Sequence, residues 1–442
     1  MKKNRRIPIV ICILISMLFL CSVASLSAEK EIRLLSWMTV YEDAYKKIAE
    51  QFEKDTGYKV RVEILSQDQC VEKQYMDLTS GTGRYDLFVA SYYEIPEYVE
   101  AGYAEPIDEY LEGVDLSQWY PEFIDAARYK GKLWSLPMES FGACITYRRD
   151  LFEQYGLKPP ETTDELWNCA QALTKDLDGD GQNDIYGITM RGKAHSHTTI
   201  ASAGFPWAYG AYWFEGEAVN ADQIRQQKAK PTVNSPEFVE GLKMYVDLLR
   251  NFGPPGQANF MWYEMKDAFN AGKVAMYLAH ASSPGFTNQP DLPYAEYVDA
   301  SLPPMGPKRY VQEPYSMNYM VNKLSQNKEA AAKFLLYLTG KDTAQVLADL
   351  HFTGIWRKDV NESEEFRKYH NYRTPDGKYV LEESIKLIDW DYLPHTPEVK
   401  SLMDIIATAT SKSIAGTAST KDALEEANQQ ILRVMEQAGY YK

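Results

Sequence analysis

Apolar positions along the chain follow two periods, one of two residues and one near 3.6. Ile32 to Leu35 is a short apolar run that reads as a buried strand. Tyr41 to Thr56 then repeats Ala44, Ile48 and Phe52 at helical spacing and stops at Gly57. Tyr58 to Leu65 alternates, with Val60, Val62 and Ile64 on one face and Lys59, Arg61 and Glu63 on the other. A helix around Val71 to Ser80 ends at Gly81, and Asp86 to Ala90 reads as another buried strand. Further on, Thr162 with Glu165 forms a capping-box signature ahead of Leu166, Ala170 and Leu173. Ser235-Pro236 opens a helix carrying Phe238, Leu242, Tyr245, Val246 and Leu249. Val274 to Leu278 is a strand, Asn327 to Leu338 a helix stopped by Gly340, and Thr420 to Ala438 a last helix ending at Gly439. Strands alternating with helices predict an α/β protein whose sheet is mostly parallel and covered on both faces. A chain of 442 residues exceeds what one core holds, so two lobes are expected. No long Gly/Ser linker separates them, so the chain is expected to cross between lobes more than once.

The first thirty residues set the compartment. Lys2, Lys3, Arg5 and Arg6 precede the apolar run Ile7 to Leu20, and small residues up to Ala28 follow, a signal-peptide pattern with cleavage expected after Ala28. Cys21 is a candidate lipid-attachment site, although the bulky Leu20 before it departs from the lipoprotein pattern. The expected location is the periplasm or the cell exterior. Cys12 and Cys21 fall in this segment, which leaves Cys70, Cys144 and Cys169. Three scattered cysteines are no disulfide framework, and buried free thiols are expected. The net charge of −15 becomes about −19 once the four basic residues of the leader are removed. That balance argues against nucleic-acid partners, which need a basic face, and suits a soluble monomer.

Several segments resemble one family. Leu136-Pro137 through Tyr147-Arg148-Arg149-Asp150-Leu151-Phe152, with Tyr155-Gly156-Leu157 and Pro159-Pro160-Glu161-Thr162, is one; Asp176 to Gly187 is a second. Phe269-Asn270-Ala271-Gly272-Lys273-Val274-Ala275-Met276, and Lys328-Glu329-Ala330-Ala331 with Phe334-Leu335, complete the set. In this order and spacing they resemble the extracellular solute-binding proteins of sugar ABC importers, family 1, the group of the maltose-type binders. Tyr186 to Gly192 and Tyr245 to Pro255 are similar to polyol-type members. The resemblance implies a two-lobed periplasmic-binding-protein fold of type II, with the ligand cleft between lobes joined by crossing segments. It implies capture of a sugar or sugar alcohol, delivery to the membrane permease subunits of an ABC importer, and no catalysis. Matching segments place crossings near Pro137 to Ala143, Ala281 to Phe286 and Pro314 to Leu324. The division expected is residues 1–28 as signal peptide, 29–139 and 286–320 as lobe one, and 140–285 and 321–442 as lobe two.

The residues point to a site by a separate route. In open α/β sheets ligands sit beyond the carboxyl ends of the strands, which selects the loops after the strands at Ile32, Asp86 and Val274. Sugars present apolar C–H faces and a rim of hydroxyls, so rings with a few polar groups suit them. These loops offer Trp37, Glu42, Tyr92 and His280. Glu139 lies on the first expected crossing, and the aromatic run from Gly204 to Phe214 contributes Trp207 and Tyr209 as a candidate wall. Arg191, Trp262, Tyr315, Trp356 and Arg357 complete the candidates. Asp176, Asp178, Asp180, Gln182 and Asp184, with Gly181, match a calcium loop at all positions but the twelfth, where Gly187 replaces the bidentate Glu. Structural Ca2+ is thus a candidate, and no cofactor is required. His195 and His197 lack further partners at zinc spacing. HExxH, GxSxG and phosphate-loop motifs are absent. The alternatives to a sugar binder are a secreted glycoside hydrolase, which needs two carboxylates across the scissile bond, and a polyamine or peptide binder on the same fold.

Overall fold

A computed structural model describes residues 31–37 and 41–442. The signal segment, Cys12, Cys21, the cleavage site and residues 38–40 of the first loop lie outside the described residues. Among the described residues no helix is long and apolar enough to cross a membrane.

The strands are β1 (Glu31–Ser36), β2 (Lys59–Ile64), β3 (Leu87–Ser91), β4 (Ala104–Glu105), the small hairpin β5 (Arg128–Tyr129) and β6 (Lys132–Leu133), β7 (Ser135–Phe141), β8 (Ala143–Arg148), β9 (Tyr186–Thr189), β10 (Val274–His280), β11 (Val298–Ser301) and β12 (Tyr315–Asn322). They build two main sheets. One runs β2-β1-β3-β12-β4 with β7 also on β12; the other runs β11-β8-β10-β9. Each belongs to one lobe. The expected helices stand where the period placed them, at Glu42–Thr56, Gln67–Ser80, Thr163–Leu173, Pro236–Phe252, Lys328–Leu338 and Thr420–Gln437. Their start signals operate as read. The Thr162 hydroxyl accepts from the Glu165 amide while the Glu165 carboxylate takes the Thr162 amide, and Ser235 Oγ accepts from the Phe238 amide. Cys70, Cys144 and Cys169 are free and buried.

Two expectations need correction. The sheets are mixed rather than mostly parallel: β12 runs antiparallel to β3, β4 and β7, and β8 antiparallel to β10 and β11. These are the strands that follow a change of lobe, so they enter their sheets from the opposite end. The crossings also fall differently. The first is where expected, at Gly142 between β7 and β8. The segment Ala281 to Phe286 is not a crossing, because β10 and β11 both belong to the second sheet and the helix Ser283–Thr287 between them stays there. The chain returns to the first sheet between Ser301 and Tyr315, so β11 belongs to lobe two. The helices Lys328–Leu338 and Lys341–Asp349 then pack on Glu42–Thr56 in lobe one, where residues 321–442 had been expected in lobe two. The final passage runs through 350–396 to the helix Val399–Ile414, which packs on Ser196–Ser202, Pro236–Phe252 and Thr420–Gln437 in lobe two.

Gly142 shows how tight the crossing is. A Cβ there would sit 2.3 Å from the Ser384 carbonyl oxygen of the helix Val380–Lys386, which packs on both β7 and β8. Gly142→Ala is expected to destabilise the fold by about 1–3 kcal/mol, read as a lower midpoint in urea denaturation.

Candidate functional site

The carboxyl ends of β1, β3, β7, β9 and β10, and the start of the antiparallel β12, converge at the junction of the lobes. There the two lobes enclose a cavity of about 170 Å³. Lobe one contributes Trp37 after β1, Tyr41 at the start of its helix and Gln67 at the start of Gln67–Ser80. Lobe two contributes Arg191 after β9, His197 and Ile200 from Ser196–Ser202, the run Met261-Trp262-Tyr263, His280 at the end of β10 and Phe286. Glu139 and Phe141 from β7 and Tyr315 from β12 form the floor along the crossing. The lobes touch here: Gln67 Nε2 lies 3.1 Å from His197 Nε2.

Rings line the floor in series. Tyr315 stacks on Phe141 at 5.8 Å, Phe141 lies 4.3 Å from His280, and His280 stacks on Trp262 at 6.0 Å. Their polar atoms are mostly committed. Tyr315 Oη lies 3.1 Å from Ser91 Oγ, and His280 Nδ1 2.6 Å from Ser282 Oγ. Three groups remain open or half-open. Trp262 Nε1 is buried without a hydrogen-bond partner. Glu139 has no ion pair or hydrogen bond from its carboxylate among the described residues. Arg191 is buried and spends its Nε on Glu313 Oε1 at 3.2 Å, while its side chain reaches the cavity.

Burial governs the protonation states. It raises the Glu139 carboxyl to about 7, against the pull of Arg191. It raises Glu313 to about 7 as well, again opposed by Arg191. His197 and His280 are pushed well below the ordinary histidine range by burial, with Arg191 adding to the effect, so both are neutral.

Of the sequence candidates, Trp37, Glu139, Arg191, Trp262, His280 and Tyr315 come together in this cavity. The others lie elsewhere. Glu42 stands in the first turn of its helix and pairs with Lys46 at 2.6 Å. Tyr92 is buried with its ring 4.3 Å from Trp390 and its hydroxyl 3.0 Å from that of Tyr392. Trp207 lies under the Arg309 guanidinium, and Tyr209 caps the same short helix, Gly204–Ala208, rather than walling the cleft. Trp356 is fully buried in lobe one and donates from Nε1 to the Thr339 carbonyl. Arg357 pairs with Asp359 through two 2.9 Å bonds over the Trp119 ring. His195 Nδ1 accepts from the His197 amide, so the pair caps a helix.

Tyr41, Gln67, Phe141, His197, Met261 and Phe286 were not among the candidates. The strand-end rule reaches Gln67 if the end of β2 is included with the other three, and Phe141 and Phe286 lie in or beside segments expected to cross. In the acidic loop, carboxylate oxygens of Asp176, Asp178 and Asp184 lie within 4.8 Å of one another. Asp180 turns instead to the Gln182 amide. Gly187 cannot be the twelfth-position Glu, because a Cβ there would meet the Ala170 carbonyl oxygen at 1.9 Å.

Two α/β lobes hinged by crossing strands over a cavity walled from both sides define a cleft-binding protein. The chain belongs to the bacterial extracellular solute-binding protein family, whose model matches residues 38–345. It is 24% identical over 440 residues to a mannitol-binding protein of Pseudomonas aeruginosa, covering 95% of this chain and 94% of that one. Its fold matches an ABC transporter solute-binding protein of Agrobacterium vitis S4 solved with bound D-mannitol, at a TM-score of 0.79 and 25% identity, covering 93% and 100% of the two chains. A solute-binding protein of Agrobacterium radiobacter K84 in complex with ribitol matches at 0.79 and 23%, covering 91% and 98%.

The raised carboxyls have a measurable consequence. Unfolded Glu titrates near 4.3, whereas Glu139 and Glu313 titrate at about 7 in the fold. Between these values the folded state binds protons that the unfolded state has lost, so their contribution to stability falls as pH rises through that window. Glu139→Gln should flatten this fall, measured as denaturation midpoints at pH about 5 and about 8.

Proposed function

We propose that this protein captures one sugar or linear sugar alcohol by closing its lobes and presents it, as a monomer outside the cytoplasmic membrane, to the permease of an ABC importer. The observation that carries this reading is the pairing of open groups in the cavity. A hydroxyl both donates and accepts, and the wall offers an unpartnered acceptor, Glu139, and an unpartnered donor, Trp262 Nε1, between ring faces. The volume supports a small ligand. At about 170 Å³, against roughly 10–15 Å³ for one water, it suits on the order of ten heavy atoms. The relatives bind ligands of that size, D-mannitol and ribitol.

Among the described residues the lining includes one carboxylate, Glu139, where glycoside hydrolysis needs two; this supports binding without turnover. Closure follows from where the contacts lie. A ligand touching Trp37 and Gln67 on one lobe and Arg191 and Trp262 on the other gains all of them only in the closed form, which it therefore favours.

For the acidic loop we propose a structural Ca2+ on Asp176, Asp178 and Asp184 with the Gln182 carbonyl, supported by the convergence of the three carboxylates. Chelator should then lower the melting temperature of the purified protein, and Asp176→Ala should abolish that response. An unchanged melting curve with no bound metal would leave a hydrated turn.

Added at about a thousand times its Kd, a cognate ligand stabilises by about 4 kcal/mol. Mannitol or ribitol should therefore raise the melting temperature by several degrees, while maltotriose, too large for the cavity, should not. Trp37→Ala should weaken the bound polyol about tenfold or more, some 1.4 kcal/mol, with little loss of melting temperature in the empty protein. A variant that binds normally but melts much lower would show Trp37 to be a packing residue.

A further inference from the structure

The balance of charge around the cavity is uneven. Its ionisable groups come from each element that faces it: Glu139 on β7, Arg191 after β9, His197 on Ser196–Ser202 and His280 at the end of β10. Behind Arg191 stands Glu313, fully buried, with Oε1 on the guanidinium and Oε2 without a partner. Arg191 is thus bonded to one carboxyl, Glu313, and acts on the other, Glu139, only through space. Both histidines are neutral, and Tyr41 and Tyr315 are held protonated by burial. Above pH about 7, where Glu139 and Glu313 are both ionised, the site's charge is minus one. Among the described residues Arg191 is the cation at the cavity and is paired with Glu313, while Glu139 faces the cavity with no hydrogen-bond or ion-pair partner.

We infer that this cleft selects its ligand by charge: it accepts hydroxylated ligands that carry no acid group and rejects their carboxylate and phosphate counterparts, with Glu139 as the residue that sets the rejection. The inference rests on the sugar-or-polyol reading. A hydroxyl can donate to the Glu139 carboxylate. A carboxylate or phosphate oxygen has no proton to give and meets a like charge in a cavity walled largely by rings, where little water screens the repulsion. An acid enters only after Glu139 takes up a proton. Its binding should therefore strengthen as pH falls, whereas the binding of the neutral ligand should not.

The test is calorimetry on the mature protein with D-mannitol, D-mannonate and mannitol 1-phosphate. At pH about 8 both anions should bind at least roughly 100-fold more weakly than mannitol, and Glu139→Gln should narrow that gap about tenfold or more. The unliganded melting curve checks that the variant is folded. In the unaltered protein, affinity for mannonate should rise about tenfold or more between pH about 8 and about 5.5, and Glu139→Gln should reduce that rise to the part that follows from protonation of Glu313. Anions binding within about threefold of mannitol, a gap unchanged in Glu139→Gln, or an affinity for mannonate independent of pH would each overturn the inference while leaving the polyol reading intact. If mannitol, ribitol and the anions all fail to bind, the polyol reading falls and takes this inference with it.

Discussion

The cleft depends on keeping one guanidinium charged away from water. Arg191 is buried after β9, and a buried unpaired charge costs several kcal/mol. Glu313 answers it from the segment that carries the chain back to lobe one. The pair therefore fixes that crossing segment against lobe two. The backbone beneath is held just as firmly: the Arg191 carbonyl accepts from the Tyr245 hydroxyl, and the Met190 carbonyl from Gln257 Nε2. Gln257 in turn accepts from Thr189 Oγ1 at 2.8 Å. With these demands met inside the protein, what remains for a ligand is small and specific: the free carboxylate of Glu139, the indole N–H of Trp262 and the ring faces around them.

Contacts across the cavity combine the polar pair of Gln67 with His197 and the ring contacts of Tyr93 with His197 and Tyr41 with Phe286, while the crossing itself is densely packed around Gly142. Parting the lobes about this crossing would break those contacts and leave the sheet of each lobe whole. A ligand that touches both lobes adds bridging contacts to these, which is how a binding energy of modest size shifts the balance between open and closed forms.

The elements legible in the sequence are those whose causes are local. Thr162 with Glu165, and Ser235 ahead of Pro236, announce helix starts because each cap is completed within four residues. The strands β1, β2, β3 and β10 show in their apolar content. What could not be read depends on distant partners. β12 is buried at every position yet contains Ser316, Asn318 and Asn322; its polarity is tolerated because Ser316 Oγ lies 2.7 Å from Ser140 Oγ on β7 and Asn322 donates to the Tyr85 carbonyl. No periodicity reveals such cross-strand satisfaction. The assignment of β11 to lobe two has the same origin, since only its pairing with β8 decides it. At the site, the rule that ligands lie beyond strand ends leads to Trp37 and His280, both of which line the cavity, but it could not tell which neighbouring rings turn inward.

That last distinction has a physical marker. The chain is rich in aromatic residues, and most of their faces are already covered. Trp207 lies 3.9 Å under Arg309, Trp119 4.4 Å under Arg357, and Tyr379 3.4 Å under Arg373. Trp356 has no such cover among the described residues but is enclosed by core and gives its N–H to Thr339. A ring satisfied in either way has nothing left to offer a solute. Trp37 differs on both counts: it is only partly buried, lines the cavity, and has no ring or cation stacked on it among the described residues. An apolar ring face left open to a cavity costs free energy in the empty protein, and the C–H face of a sugar or sugar alcohol is the kind of surface that recovers it.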